Sequence, residues 1–64
     1  MKIRASARRS GEWWAISALN VDGLHTQARD RDDIAPIVAD AAALLLAMPA
    51  EHIEVEVIFD VRED

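Results

Sequence analysis

Polar and apolar residues alternate over residues 2–9, "KIRASARR", with Ile3, Ala5 and Ala7 on one side and Arg4, Ser6 and Arg8 on the other. A period of two marks a strand with one buried face. Ser10-Gly11 is a turn signal, and "EWWAISAL" reads as the returning strand. A two-residue loop at Ser10-Gly11 sets Arg9 opposite Glu12. A four-residue loop "RSGE" sets Arg8 opposite Trp13, and both loops give one register. In that register Ala7 faces Trp14, Ala5 faces Ile16 and Ile3 faces Ala18, a pairing of small with large that suits a layer beneath a helix. The adjacent tryptophans therefore part company. Trp14 enters the core, and Trp13 faces outward beside Arg8, whose guanidinium can stack on the ring for about 0.5–1 kcal/mol. Arg4 lies beside Ser17 on the same outer face.

Further along, "NVDG" is a second turn and "LHTQAR" a short third strand. The run "DRDD" starts a helix with Asp32 or Asp33 as N-cap, because Pro36 lacks an N–H and is cheapest in the first turn. Ile34, Ile37, Val38, Ala41, Leu44, Leu45 and Met48 then recur at helical spacing as one apolar stripe, and Pro49 stops the helix. Residues 52–61 alternate once more, with Ile53, Val55, Val57, Phe59 and Val61 inward and Glu54, Glu56, Ile58 and Asp60 outward. The order is β-β-β-α-β. With a right-handed return that lays the last strand parallel to the first, the sheet order is 3-2-1-4. The expected architecture is an α+β single domain over residues 1–64: a four-stranded mixed sheet with one helix on one face. The opposite face carries Trp13, Arg4, Arg8, Glu54 and Glu56, and both sheet edges are open.

The chain has 64 residues, which allow one small core that removes only about 60% of the unfolded surface from water. Such a domain gains from association. The open final strand, with Ile58 among its outward residues, makes a homo-oligomer the expectation. No cysteine is present, so neither disulfides nor a Cys-based zinc site can add stability. The N-terminus lacks the apolar stretch of a signal peptide, and "AAALLLAMPA" is too short to span a bilayer, which points to a cytoplasmic protein without a membrane segment. Twelve acids against seven Lys and Arg give a net charge of −5. That balance disfavours nucleic acid as the main ligand and suits a basic protein partner.

Catalytic chemistry has little to stand on. His25 and His52 lie on different strands without a Cys or acid at ligand spacing, so no metal is expected. Ser6, Ser10 and Ser17 have no His–Asp arrangement around them. Asp30, Asp32 and Asp33 resemble a cation cluster, but acids at a helix start are explained by the macrodipole. Neither a Gly-rich phosphate loop nor another cofactor motif occurs, and no cofactor is expected.

The order of elements resembles the first half of a ribonuclease H fold. Metal-ion chemistry of that type needs an acid in the first strand, and "KIRASARR" has none, so the expectation is no enzyme activity. Over "WWAISALNVDGLHTQARDRDDIAPIVADAAALLL" the sequence resembles the HicB-like antitoxin family, in its short form. The family has an aromatic-rich second strand, a "P-x-[VL]-[PD]-G" turn, a Thr-Gln strand, an acid-started helix and a final acidic strand. Gly11, Trp14, Val21, Gly23, Thr26 and Gln27 stand at the corresponding positions, with Asp40-Ala41 in the matching helix. Asn20-Val21-Asp22 stands where the family often has prolines. The resemblance implies an antitoxin that masks a small basic ribonuclease of the HicA type. Trp13, Glu54, Glu56, Ile58 and Asp60 would then be the partner-binding residues. Many members carry a C-terminal DNA-binding module; this sequence stops at "VRED", and DNA binding is not expected of it. The alternative is a stand-alone structural or regulatory module of the same fold that self-associates through its edge strand and has no toxin partner.

Overall fold

The computed structural model describes residues 1–60. Its elements are β1 (Lys2–Ser10), β2 (Trp13–Ala18), β3 (His25–Ala28), α1 (Arg31–Leu46), a single 3-10 turn (Ala50–His52) and β4 (Glu54–Asp60). The sheet order is β3-β2-β1-β4, antiparallel except for β1 with β4, which run parallel. This is the expected small α+β domain, a four-stranded mixed sheet with one helix. Val61, expected inward at the end of β4, lies outside the described residues. No described helix is long and apolar enough to cross a membrane.

The first hairpin differs from its expected register by two residues. Ser10 pairs with Trp13, Ala7 with Ile16 and Ala5 with Ala18. The loop is therefore Gly11-Glu12, not Ser10-Gly11. Gly11 adopts φ +62° while Glu12 does not have a positive φ, the signature of a type II′ turn with glycine at its first central position. A shift of two keeps every side chain on its face. Trp14 is still the core residue, 8% exposed, and Trp13 the outward one, 41% exposed. What changes is the neighbour: Trp14 lies level with Arg9, and Arg8 lies level with Ala15 instead of Trp13.

The core is thin and built around alanine. Ile3, Ala5 and Ala7 of β1 are fully buried, and α1 crosses above them with Ile34, Val38 and Ala42, one residue per turn. Short side chains on both surfaces let the helix lie close to the strand. Leu24, Ala28, Ile16 and Ile53 complete the layer. Ala42 replaces part of the expected stripe: Leu44 is 87% exposed and Leu45 51%, so the helix faces the sheet along 34–38–42 instead.

Both helix ends depart from expectation in detail. The helix begins at Arg31 with Asp30 as N-cap, not Asp32 or Asp33, and Asp30 makes no side-chain capping bond. Asp32 and Asp33 instead occupy the first turn, where carboxylates meet the positive end of the dipole. Pro36 consequently falls in the second turn, where it forfeits a backbone bond to the Asp32 carbonyl. At the other end Ala47 turns left-handed (φ 53°, ψ 48°), before Pro49, and the Met48 N–H bonds to the Ala43 carbonyl at 3.2 Å. That is a Schellman-type ending with alanine in a glycine position.

β1 is longer than its partner β2, and one side chain fills the gap. Asn20 Oδ1 accepts from the Arg4 N–H at 3.0 Å, and its Nδ2 donates to the Lys2 carbonyl at 2.9 Å. The amide stands in for two more residues of strand. Nothing in the hydrophobic pattern signals this role, because it depends on where β2 stops.

Two stability predictions follow from this packing. Trp14 meets Phe59 edge-on, ring centroids 5.3 Å apart, yet its buried indole N–H has no partner. Trp14→Ala should cost about 3–5 kcal/mol, whereas Trp14→Phe should cost under about 1.5 kcal/mol, since it also removes the unpaired donor. Urea unfolding of both variants measures the difference. Ala47→Gly should stabilise by about 1 kcal/mol by relieving the left-handed alanine, raising the melting temperature by roughly 4–8 °C.

Candidate functional site

The helix leaves one sheet face uncovered, and strand register fixes what that face presents. On β4 it carries Glu54, Glu56, Ile58 and Asp60, level in turn with Lys2, Arg4, Ser6 and Arg8 of β1. Ser6 continues across to Ser17 and His25, and Arg8 to Ala15 and Gln27. Ser17 Oγ and His25 Nδ1 share a hydrogen bond at 3.1 Å. The face thus has an acidic column at its edge, a basic column beside it, and a floor of small residues further in. That floor forms a depression of 240 Å³ lined by Ser6, Arg8, Ala15, Ser17, Leu19 and Asp60.

The five residues expected to bind a partner all lie on this face and are all exposed, but they form two groups. Glu54, Glu56, Ile58 and Asp60 follow one another along β4. Trp13 stands at the hairpin end of β2 beside Ser10, at the same end of the sheet as Asp60 and separated from it by β1. Its ring is covered by Arg29, whose guanidinium carbon lies 5.4 Å from the ring centroid, and not by Arg8. Arg29 is in turn held by Glu12 at 3.2 Å. The two-residue change of register moved Arg8 away, and Arg29, just past the end of β3, took its place.

Charge on the β4 side is partly neutralised from β1. Glu56 forms ion pairs with Lys2 Nζ at 3.7 Å and Arg4 Nε at 3.6 Å. Both cations thus converge on Glu56, while Arg8 stands level with Asp60. Among the described residues, no cation lies within 4.0 Å of Glu54 or Asp60. These pairs are half-exposed, and such contacts are worth about 0–1 kcal/mol each.

A second cluster, which the sequence pattern did not reveal, closes the hairpin end on the helix side. The guanidinium of Arg31 lies 4.5 Å from the Phe59 centroid and 6.0 Å from that of Trp14, and that of Arg9 lies 5.5 Å from Trp14. Arg9 Nε also donates to the Gly11 carbonyl at 2.9 Å. Arg9, Arg29 and Arg31 line an open depression of 560 Å³ together with Asp30, Asp32 and Asp33. The aspartates thus share their surroundings with three guanidiniums, an environment that disfavours a bound cation. Among the described residues no group of three or more His, Cys, Asp or Glu is placed to hold a metal ion.

No protein-family model, curated protein or solved structure matches this chain. Because Trp13 is exposed and, among the described residues, its ring is stacked only by a surface arginine, Trp13→Ala should change folding stability by less than about 1 kcal/mol. A thermal melt beside that of Trp14→Ala checks the assignment of the two faces; equal losses would contradict it.

Proposed function

We propose that this chain is an antitoxin-type binding protein, HicB-like in its short form, that neutralises a small basic HicA-like ribonuclease by covering it. The observation that carries this reading is β4: an outermost strand whose outward residues are Glu54, Glu56, Ile58 and Asp60, with two of its carboxylates at no cation among the described residues. A basic ribonuclease must keep its cationic surface free for RNA. A protein that lays carboxylates against that surface blocks RNA by occupation, and no chemical step is required. The net charge of −5 supports the same partner by steering encounter. Trp13, with its amphipathic ring at the hairpin end across β1 from Asp60, supplies an aromatic anchor of the type that dominates interfaces.

The proposal requires a gene for a short, basic, His-containing protein beside this one; absence of such a gene would favour the stand-alone module, and co-expression with its product tests the proposal directly. RNA cleavage by that protein should cease at one-to-one stoichiometry, and the association rate should fall steeply as salt rises from about 0.05 to 0.5 M. Undiminished cleavage in the presence of excess antitoxin would overturn it.

A further inference from the structure

We infer that the outer edge of β4 is a docking edge for an extended segment in which basic and apolar residues alternate, taken from the basic partner proposed above. The inference rests on that reading for its occupant and on the strand's inner neighbour for its chemistry. β4 is paired on one side only. On that side β1 matches it position by position: Lys2, Arg4 and Arg8 stand level with Glu54, Glu56 and Asp60, while Ile3, Ala5 and Ala7 stand level with Val55, Val57 and Phe59. One edge of β4 thus already accepts a strand with cations on the bare face and apolar residues on the helix face.

The other edge offers the same side chains again. Val55, Val57 and Phe59 are only half-buried, so α1 leaves part of the apolar row of β4 uncovered. Ile58 is 37% exposed between Glu56 and Asp60. A strand added here would gain main-chain hydrogen bonds from the edge and cover that apolar row on one face. It would bring cations to Glu54 and Asp60 on the other.

A second copy of this chain, the occupant that the open final strand alone leads one to expect, fits less well. When two β4 strands pair antiparallel with their helices on the same side, every register that joins four or more residues sets two acids opposite each other. Glu54 meets Asp60 when the two-fold lies at Val57, Glu56 meets itself one position earlier, and Glu56 meets Asp60 one position later. Like charges directly opposite are destabilising. The acids therefore guard the edge against its own kind and leave it open to a basic strand.

The experiment uses the full chain and a synthetic peptide of about ten residues that alternates arginine and valine. Nuclear magnetic resonance titration should show saturable binding below about 1 mM, with the largest shifts at the amides of 54–60. The same peptide N-methylated at alternate residues loses half its backbone donors and should not bind. Equal binding of the methylated peptide would reduce the contact to charge alone and overturn the inference. The doubly reversed variant Glu54→Lys/Asp60→Lys alters two exposed residues and should fold normally while binding about tenfold more weakly. Unchanged affinity in that variant, or shifts confined to β3 or α1, would also overturn it. Sedimentation of the free chain at about 1 mM should find a monomer. A dimer whose formation protects the β4 amides would assign the edge to a second copy and sink the proposal. If the peptide docks but the neighbouring basic protein does not bind, the docking edge stands and the ribonuclease reading falls. If the basic protein binds without disturbing β4, the reverse holds.

Discussion

The parallel pairing of β1 with β4 is the constraint on which the rest of the molecule depends. It joins the two ends of the described chain, and the Met1 carbonyl extends it by accepting the Glu54 N–H at 2.7 Å. It makes β1 an interior strand, so Ile3, Ala5 and Ala7 can be fully buried beneath α1. It also compels a crossover, because parallel strands cannot be joined by a hairpin, and α1 is that crossover. Finally, it places β4 outermost. A domain this small then has one helix to spend on one face, and a bare face and an open acidic edge are the geometric consequence.

That constraint separates two kinds of surface residue. Cations of β1 lie beside acids of β4 because the strands run parallel in register, and these contacts balance charge locally without adding much stability. Arginines at the hairpin end act differently. Arg9 and Arg31 cover the rings of Trp14 and Phe59 with their flat guanidiniums, and Arg29 covers Trp13. There the arginines extend the apolar layer past the last residues that the short helix can reach. Lysine at these positions would lose the planar contact.

Much of this could be read from the residues, and the reasons for the exceptions are physical. Period-two alternation in residues 2–9 and 52–61 located β1 and β4, assigned their faces, and with the right-handed crossover rule led to the sheet order. Parity also put Trp14 in the core and Trp13 outside, since a slip of two residues leaves parity untouched. The slip itself was not legible: "RSGE" permits glycine at either central position of a two-residue loop, and only its backbone angle decides. Leu44 and Leu45 were expected to be buried because periodicity reports which residues could face a sheet, not how far the sheet extends beneath them. The Asn20 bridge and the arginine covers were invisible for the same reason, as they depend on where strands stop. Of the candidate binding residues, the β4 group follows directly from alternation. The sheet order likewise sets β1 between that group and Trp13; what needed the three-dimensional register was Arg29, not Arg8, over the Trp13 ring.

Hydrogen exchange at the β4 amides is the most direct measurement of the central claim, that this protein acts through the open acidic edge. It would be followed residue by residue in the free chain and in the stoichiometric complex with the basic partner proposed above. The account requires that the edge-facing amides of Val55, Val57 and Phe59 exchange readily when free and become protected in the complex, the alternate amides from Glu54 onward being already turned to β1. The exposed end of α1 at Leu44 and Leu45 should be unaffected. Protection confined to α1 or to β3, with β4 exchanging as before, would contradict it.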